Sequence, residues 1–335
     1  MNIKKNIFFY PAVLLSVAVT VLAACTNAPI FYAIEQEVKL KNFSIKGNVR
    51  GFAQIDKTIY TANGEDVFYK AYDSTDAWTA LNFPDGLIQG VVADGSVLFA
   101  AGAKGGVKYY NGSWNSVPGG ENIKMVFGDS TVFGTDYSSI YTVTASGVVR
   151  IKGLASGELL TGAGGMYCTT DKGVFKNDGS AVSGAPSSDI ISASKGKNDH
   201  SLFVLSGKTL YHYDGSAWTS TAIETDMPSC IFYFDALKTV LIGCKKGYTE
   251  IRLHEGNDNL TGASEIKPGE AGSTTPKSSV NQYQSVTGSY PLEPVFAAGT
   301  KIQYSVFAGA QAGSMERNTG LWAFYSFYKQ EWNRE

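Results

Sequence analysis

The chain has 335 residues, with 28 basic and 30 acidic side chains, a net charge of −2 and 44% hydrophobic residues. That balance excludes the strongly basic footprint of a nucleic-acid binder and leaves enough apolar material for a large core. With 37 glycines, 10 prolines and only 17% charged residues, the composition is that of a turn-rich all-β protein.

The N-terminus comes first. Lys4 and Lys5 precede an apolar run to Ala24, and Leu22-Ala23-Ala24-Cys25 closes it. A basic start, a hydrophobic stretch and small residues before a break form a secretory leader, here residues 1–24. The apolar run is just long enough to raise a membrane-spanning helix instead, but its ending argues against one. Leu22-Ala23-Ala24-Cys25 resembles the lipobox of bacterial lipoproteins. The resemblance implies that Cys25 is acylated, palmitate included, and becomes the first residue of the mature chain. Two or more acyl chains anchor a protein to a membrane without a spanning segment. Residues 25–30 then form a lipidated tether. Loss of Lys4 and Lys5 moves the net charge from −2 to −4, so lipid rather than charge holds the protein to its membrane. Thr26, in place of an Asp after the cysteine, favours the outer membrane; whether the protein faces the surface or the periplasm is open.

Residues 31–45 alternate like a strand and form an arm that is expected to join the blade containing residues 324–335. A repeat comes next. Tyr211-His212-Tyr213-Asp214-Gly215-Ser216-Ala217-Trp218 recurs as Lys108-Tyr109-Tyr110-Asn111-Gly112-Ser113-Trp114, and again, worn down, around Val174–Val182 and Tyr69–Trp78. Each copy is an aromatic strand of period two, a turn of residues that tolerate positive φ, and a second strand. Trp78 and Trp114 are 36 residues apart, as are Val182 and Trp218, and Trp114 to Val182 is twice 34. The spacing places further units near Val148 and His254, and the last copy at residues 324–332. A fixed period of about 35 residues with four short strands in each unit predicts a seven-bladed β-propeller spanning residues 31–335 as a single domain. In the fifth unit the strands are read at 189–194, 201–205, 209–213 and 217–223.

Two stretches interrupt the period. Residues 267–279 hold no hydrophobe larger than Ala and read as a mobile surface insertion between the sixth and seventh units. Residues 309–320 are irregular between two strands of the seventh. Of the cysteines other than Cys25, Cys168 reads as a packed thiol. Cys230 and Cys244 flank a hairpin; a three-residue turn at 236–238 would set them face to face, and an exported protein can keep a disulfide there. Two buried free thiols are the alternative, since a shift of one residue separates them.

Chemistry is sparse. His200, His212 and His254 are scattered, no zinc or calcium pattern is present, and no cofactor loop or nucleophile elbow occurs, so neither metal nor cofactor is expected. The Asp-Gly-Ser-Ala-Trp turn is similar to the Asp box of sialidases, but the Ser and Thr positions of that box do not match and no arginine cluster has a matching context. The Gly-His and Trp-Asp pairs of WD40 blades are missing. The short blades are similar to the divergent repeats of bacterial extracytoplasmic propellers, including those of two-component sensors. That resemblance covers the second, fourth and fifth units well and the first weakly, and implies sensing or binding rather than a reaction.

The turns between second and third strands should share one face of the ring. They bring Lys104, Lys172, Lys208, Lys245 and Lys246, together with Glu65, Asp66, Asp136 and Asp171. The expected function is a non-enzymatic binding platform for an envelope protein or a glycan, held to the membrane by lipid. The alternative is a carbohydrate-active hydrolase or lyase with two carboxylates converging in the central channel.

Overall fold

The computed structural model describes residues 45–225, 227–244, 247–255, 258–276, 283–289, 304–310, 320–326 and 328–335. The leader, Cys25, the arm up to residue 44, Lys245, Lys246 and residues 311–319 lie outside the described residues. Ser44–Glu335 forms one compact unit.

Seven antiparallel sheets succeed one another along the chain. The first blade is β1 (Phe52–Ile55), β2 (Thr58–Ala62), β3 (Val67–Ala71) and β4 (Thr79–Ala80); the second is β5 (Ile88–Ala93), β6 (Leu98–Gly102), β7 (Gly106–Tyr110) and β8 (Trp114–Ser116). The third holds β9 (Met125–Phe127), β10 (Val132–Thr135), β11 (Ser139–Thr144) and β12 (Gly147–Gly153), and the fourth β13 (Leu160–Gly164), β14 (Tyr167–Thr170) and β15 (Gly173–Lys176). The fifth comprises β16 (Ile190–Lys195), β17 (Leu202–Ser206), β18 (Thr209–Tyr213) and β19 (Trp218–Ala222). The sixth is β20 (Pro228–Phe234), β21 (Thr239–Cys244), β22 (Gly247–Arg252) and β23 (Ser264–Ile266), and the seventh β24 (Tyr283–Ser289), β25 (Ser305–Ala310), β26 (Gly320–Tyr325) and β27 (Tyr328–Arg334). First strands neighbour one another in the sequence β1, β5, β9, β13, β16, β20, β24 and back to β1, which closes the ring. The protein is a seven-bladed β-propeller.

Two units depart from the expected spacing. In the fourth, the last strand shrinks to a single bridge between Phe175 and Ala181, where small residues and Pro186 follow. In the sixth, the fourth strand is Ser264–Ile266 rather than a segment at His254. After Leu253 the chain makes an excursion that buries Leu260 against the blade before returning to pair with β22.

The core lies between blades, because a thin four-stranded sheet cannot cover its own two faces. Phe203, Leu205 and Leu210 of the fifth blade interlock with Ile231, Val240, Ile242 and Ile251 of the sixth. Strand β17 is buried at Leu202, Phe203, Val204 and Leu205 in succession, on both faces. Each such side chain removed from water contributes on the order of 2 kcal/mol.

The repeated Trp has a defined task. Its indole N–H reaches back to the preceding blade: Trp114 Nε1 donates to the Leu81 carbonyl at 3.1 Å, Trp218 Nε1 to that of Ser183 at 3.0 Å, and Trp332 Nε1 to that of Pro276 at 3.1 Å. Trp78 Nε1 does the same across the ring closure, donating to Glu335 Oε2 at 2.9 Å. The repeated turn is equally specific. Asp214 Oδ1 accepts the N–H groups of Ser216 and Ala217, each at 2.8 Å, and Asp178 Oδ1 that of Ser180 at 2.8 Å. Gly215 takes φ +102° between them, a conformation costly for a residue with a Cβ. These amide hydrogen bonds hold the Asp214 carboxyl down at about 2.

The insertion at residues 267–279 contains no strand up to Pro276, as its composition requires, yet it is anchored. Thr274 and Thr275 are buried, and Glu250, itself fully buried on β22, accepts the Thr274 N–H at 2.8 Å and its hydroxyl.

Candidate functional site

First strands line a central channel of about 560 Å³, with Arg50, Gln89, Phe127, Asp129, Thr161, Lys195 and Phe232 among the lining residues. A recurrent bulge shapes it. The pairing of the first two strands skips one residue between Ile88 and Gly90, Leu160 and Gly162, Ile190 and Ser192, and Pro228 and Cys230. A bulge leaves its extra residue unpaired and re-aims it. The residues skipped, Gln89, Thr161, Ile191 and Ser229, all line the channel. Gly90 follows one of these bulges where blades abut: a Cβ there would meet the Val126 carbonyl oxygen at 2.7 Å.

Among the described lining residues Asp129 is the single carboxylate, and it faces Lys195 Nζ at 3.7 Å. Enclosure in the channel mouth raises the Asp129 carboxyl above its usual range, although its side chain keeps 41% exposure to channel solvent. A second carboxylate stands beside it: Asp199 Oδ1 lies 3.6 Å from the same Lys195 ammonium and accepts the Ser130 hydroxyl at 2.8 Å.

The turns between second and third strands and the connectors leading into each first strand lie on one face, here called upper. There the two kinds of segment are tied together blade by blade. The Leu87 carbonyl accepts the Ala103 N–H at 3.1 Å, that of Leu159 the Asp171 N–H at 3.0 Å, and that of Asp189 the Gly207 N–H at 3.0 Å. In the third blade Lys124 N–H donates to the Thr135 carbonyl at 2.7 Å. A rim results in which, in the second to fifth blades, the residue just before the first strand is locked against the adjoining turn.

Of the lysines expected on this face, Lys104, Lys172 and Lys208 sit in those turns and are exposed; Lys245 and Lys246 are outside the described residues. Of the acids in the same turns, Glu65 is exposed, whereas Asp66, Asp136 and Asp171 are engaged by backbone. Asp66 Oδ1 accepts from the N–H groups of Val67 and Phe83, and Asp171 Oδ1 from that of Leu159. Asp136 Oδ1 accepts from the N–H groups of Ser138 and Ser139. Partial burial opposes the Asp136 charge, but these bonds and those from the Ser138 and Tyr141 hydroxyls outweigh it and set the carboxyl below its usual range. Thus Asp66, Asp136 and Asp171 clamp turns, while Lys104, Lys172, Lys208 and Glu65 are exposed.

Sequence reasoning missed the apolar members of this rim. Leu87, Tyr137, Leu159 and Met227 are 49%, 53%, 52% and 49% exposed, and all four belong to upper-face turns or connectors. Leu87, Tyr137 and Met227 adopt φ of +49°, +69° and +53°. That region costs a non-glycine residue about 1–2 kcal/mol. The only signal in the sequence is a large hydrophobe beside turn residues, which alone reads as ordinary surface scatter.

Comparisons with known proteins agree with this architecture. A model of the TP013X lipoprotein family matches residues 1–335. The chain belongs to the TP013X lipoprotein family. Uncharacterized lipoproteins of Treponema pallidum (strain Nichols) are similar to it: one is 27% identical over 96% of this chain and 98% of its own, another 24% over 96% and 95%. Among solved structures, Saccharomyces cerevisiae Sqt1 superposes with a TM-score of 0.52 at 12% identity, covering 84% of this chain and 97% of Sqt1. The WD40 β-propeller domain of Doa1 gives 0.52 at 13%, covering 85% and 95%. These two share the fold alone. Membership of a lipoprotein family makes the chain a membrane-anchored envelope protein.

In this TP013X lipoprotein Cys230 does not face Cys244. The turn takes four residues, Asp235 to Lys238, so Phe234 pairs with Thr239 and Cys230 with Gly243, while the bulge at Ser229 puts Pro228 opposite Cys244. Both are free, buried thiols, as is Cys168, and burial pushes all three up to about 12. Thiols held so far from ionisation are inert as nucleophiles. Asp258, from the polar turn after His254, joins Lys197 at 2.6 Å and Lys238 at 3.1 Å on the opposite, lower face. Among the described residues no group of three His, Cys, Asp or Glu side chains could hold a metal.

Proposed function

We propose that this lipoprotein is a non-enzymatic binding platform, fixed to the outer membrane by acylation of Cys25 and engaging a protein or glycan partner through its upper face. The observation that carries the reading is the division of labour in the upper turns. Lys104, Lys172 and Lys208 are exposed, whereas Asp66, Asp136 and Asp171 are held by backbone N–H groups. Such a face attracts anionic groups and presents them to a rigid ring, without asking any side chain to change protonation state. Fold alone does not supply this function; the surface does.

Two experiments test it. Metabolic labelling with an alkyne palmitate should mark the native chain and not the Cys25→Ser variant. Binding to envelope proteins and acidic glycans should fall when Lys104→Glu, Lys172→Glu and Lys208→Glu are combined. Full retention of every interaction by that triple variant would remove the basis for the platform.

A further inference from the structure

We propose that the upper rim over the second to fourth blades recognises an extended protein segment carrying both acidic and large apolar side chains. The inference rests on the platform reading and names its partner's chemistry.

The rim pairs an apolar side chain with a cation in each of these blades. Leu87 is hydrogen-bonded through its carbonyl to Ala103, the neighbour of Lys104. Leu159 is bonded in the same way to Asp171, the neighbour of Lys172. In the third blade the order is reversed: Tyr137 occupies the turn, and Lys124, half-buried, precedes the first strand with its ammonium donating to the Ala103 carbonyl at 3.1 Å. Three adjacent blades thus carry exposed apolar side chains along one arc, with exposed lysines in the second and fourth and a backbone-bonded one in the third. A purely anionic glycan would use the lysines and leave Leu87, Tyr137 and Leu159 in water. A purely apolar partner would leave Lys104 and Lys172 unpaired. A segment with both kinds of side chain satisfies the arc, and rigid anchors beside charges are the usual make-up of a binding hot spot.

The backbone argues the same way. Leu87 and Tyr137 are held at positive φ, where Gly or Asn would sit without strain. Folding would be served better by those residues. A large apolar side chain kept there, half in water, is placed for something that covers it.

The test uses the full-length chain and a display library of random linear peptides. Peptides enriched on the native protein should combine Asp or Glu with Leu, Phe, Trp or Tyr. Their binding should weaken about tenfold or more in two separate variants, Leu87→Asn/Tyr137→Asn/Leu159→Ser and Lys104→Glu/Lys172→Glu. Native thermal stability of the first variant shows that its loss is not a loss of fold.

Enrichment of acidic peptides without apolar residues, sensitive only to the lysine variant, would overturn the inference and leave the platform standing. Peptides indifferent to both variants would overturn it as well. No enrichment at all would count against both readings. Binding of phosphatidylglycerol vesicles by the full chain with Cys25→Ser, lost in the apolar variant, would overturn the inference in favour of a membrane surface.

Discussion

Lys70 Nζ and Glu335 Oε2 lie 2.8 Å apart, with 2% and 11% of their side chains exposed, and they join the first blade to the last. The same ammonium donates to the Tyr325 hydroxyl at 2.8 Å and the Asp76 carbonyl at 3.1 Å, and lies 5.4 Å from the Trp78 ring centre. Tyr325 and Trp78 in turn donate to the Glu335 carboxylate. Beside them Ile45 N–H donates to the Glu335 carbonyl at 3.3 Å. Within the described residues no strand is exchanged between the two blades; this clasp and the apolar cluster of Ile45, Tyr72, Trp78, Phe307 and Tyr325 hold the closure.

Removing one partner of the clasp leaves a buried charge uncompensated. Lys70→Met should destabilise the protein by about 3 kcal/mol, and Glu335→Gln by a similar amount. The double variant should lose less than the sum, because neither charge remains. Urea unfolding of the four proteins in a double-mutant cycle checks this.

Stability should fall on mild acidification through one histidine. His212 is 3% exposed, stacks on Phe203 at 4.3 Å and places Nε2 2.8 Å from the Ser201 hydroxyl. Burial lowers its pKa to about 4, against the partial opposition of Asp214 and Asp258. The unfolded chain, with an ordinary value near 6.5, therefore takes up the proton first. This contribution is complete above pH ~6.5, is lost as the pH falls towards ~4, and amounts to about 3 kcal/mol. In His212→Phe the slope of stability over that interval should flatten, as measured by unfolding at several pH values.

Glu250 should control the described part of the insertion. Its carboxylate, raised by burial, holds both the N–H and hydroxyl of Thr274. Glu250→Ala removes these bonds and should cost about 2 kcal/mol. Limited proteolysis should then cut at Lys267 faster than in the native protein, whereas Thr219→Ala, on β19 of the fifth blade where its hydroxyl accepts the Leu260 N–H, should leave that cleavage unchanged.

Leu87→Asn should raise stability by roughly 0.5–1 kcal/mol, since Asn accepts the left-handed conformation more readily and the side chain it replaces is half exposed. Thermal unfolding reads the gain. A side chain that opposes stability but supports binding separates the rim's role from the fold's.

Much of the fold was legible because it depends on local chemistry. The alternation in Tyr211–Tyr213, the Asp-Gly-Ser turn and the spacing of Trp78, Trp114 and Trp218 each follow from short-range rules that the blades obey. The sixth unit's fourth strand escaped because Leu260, beyond the period mark, was needed by the core. The register at Cys230 escaped because a single extra turn residue and the bulge at Ser229 leave no mark in composition. The lysines of the upper turns could be placed from topology alone. Their apolar companions could not, because exposure and φ of Leu87 or Tyr137 are decided by how the connector meets the neighbouring turn.

Site-specific photocrosslinking on intact cells tests most directly whether the upper rim is the working surface. A benzophenone side chain would replace Tyr137 on the upper face or Ser146 in the lower-face turn between β11 and β12. A working upper rim predicts a discrete partner adduct from position 137 and none from 146. An adduct from 146 alone, or from neither position, would contradict it.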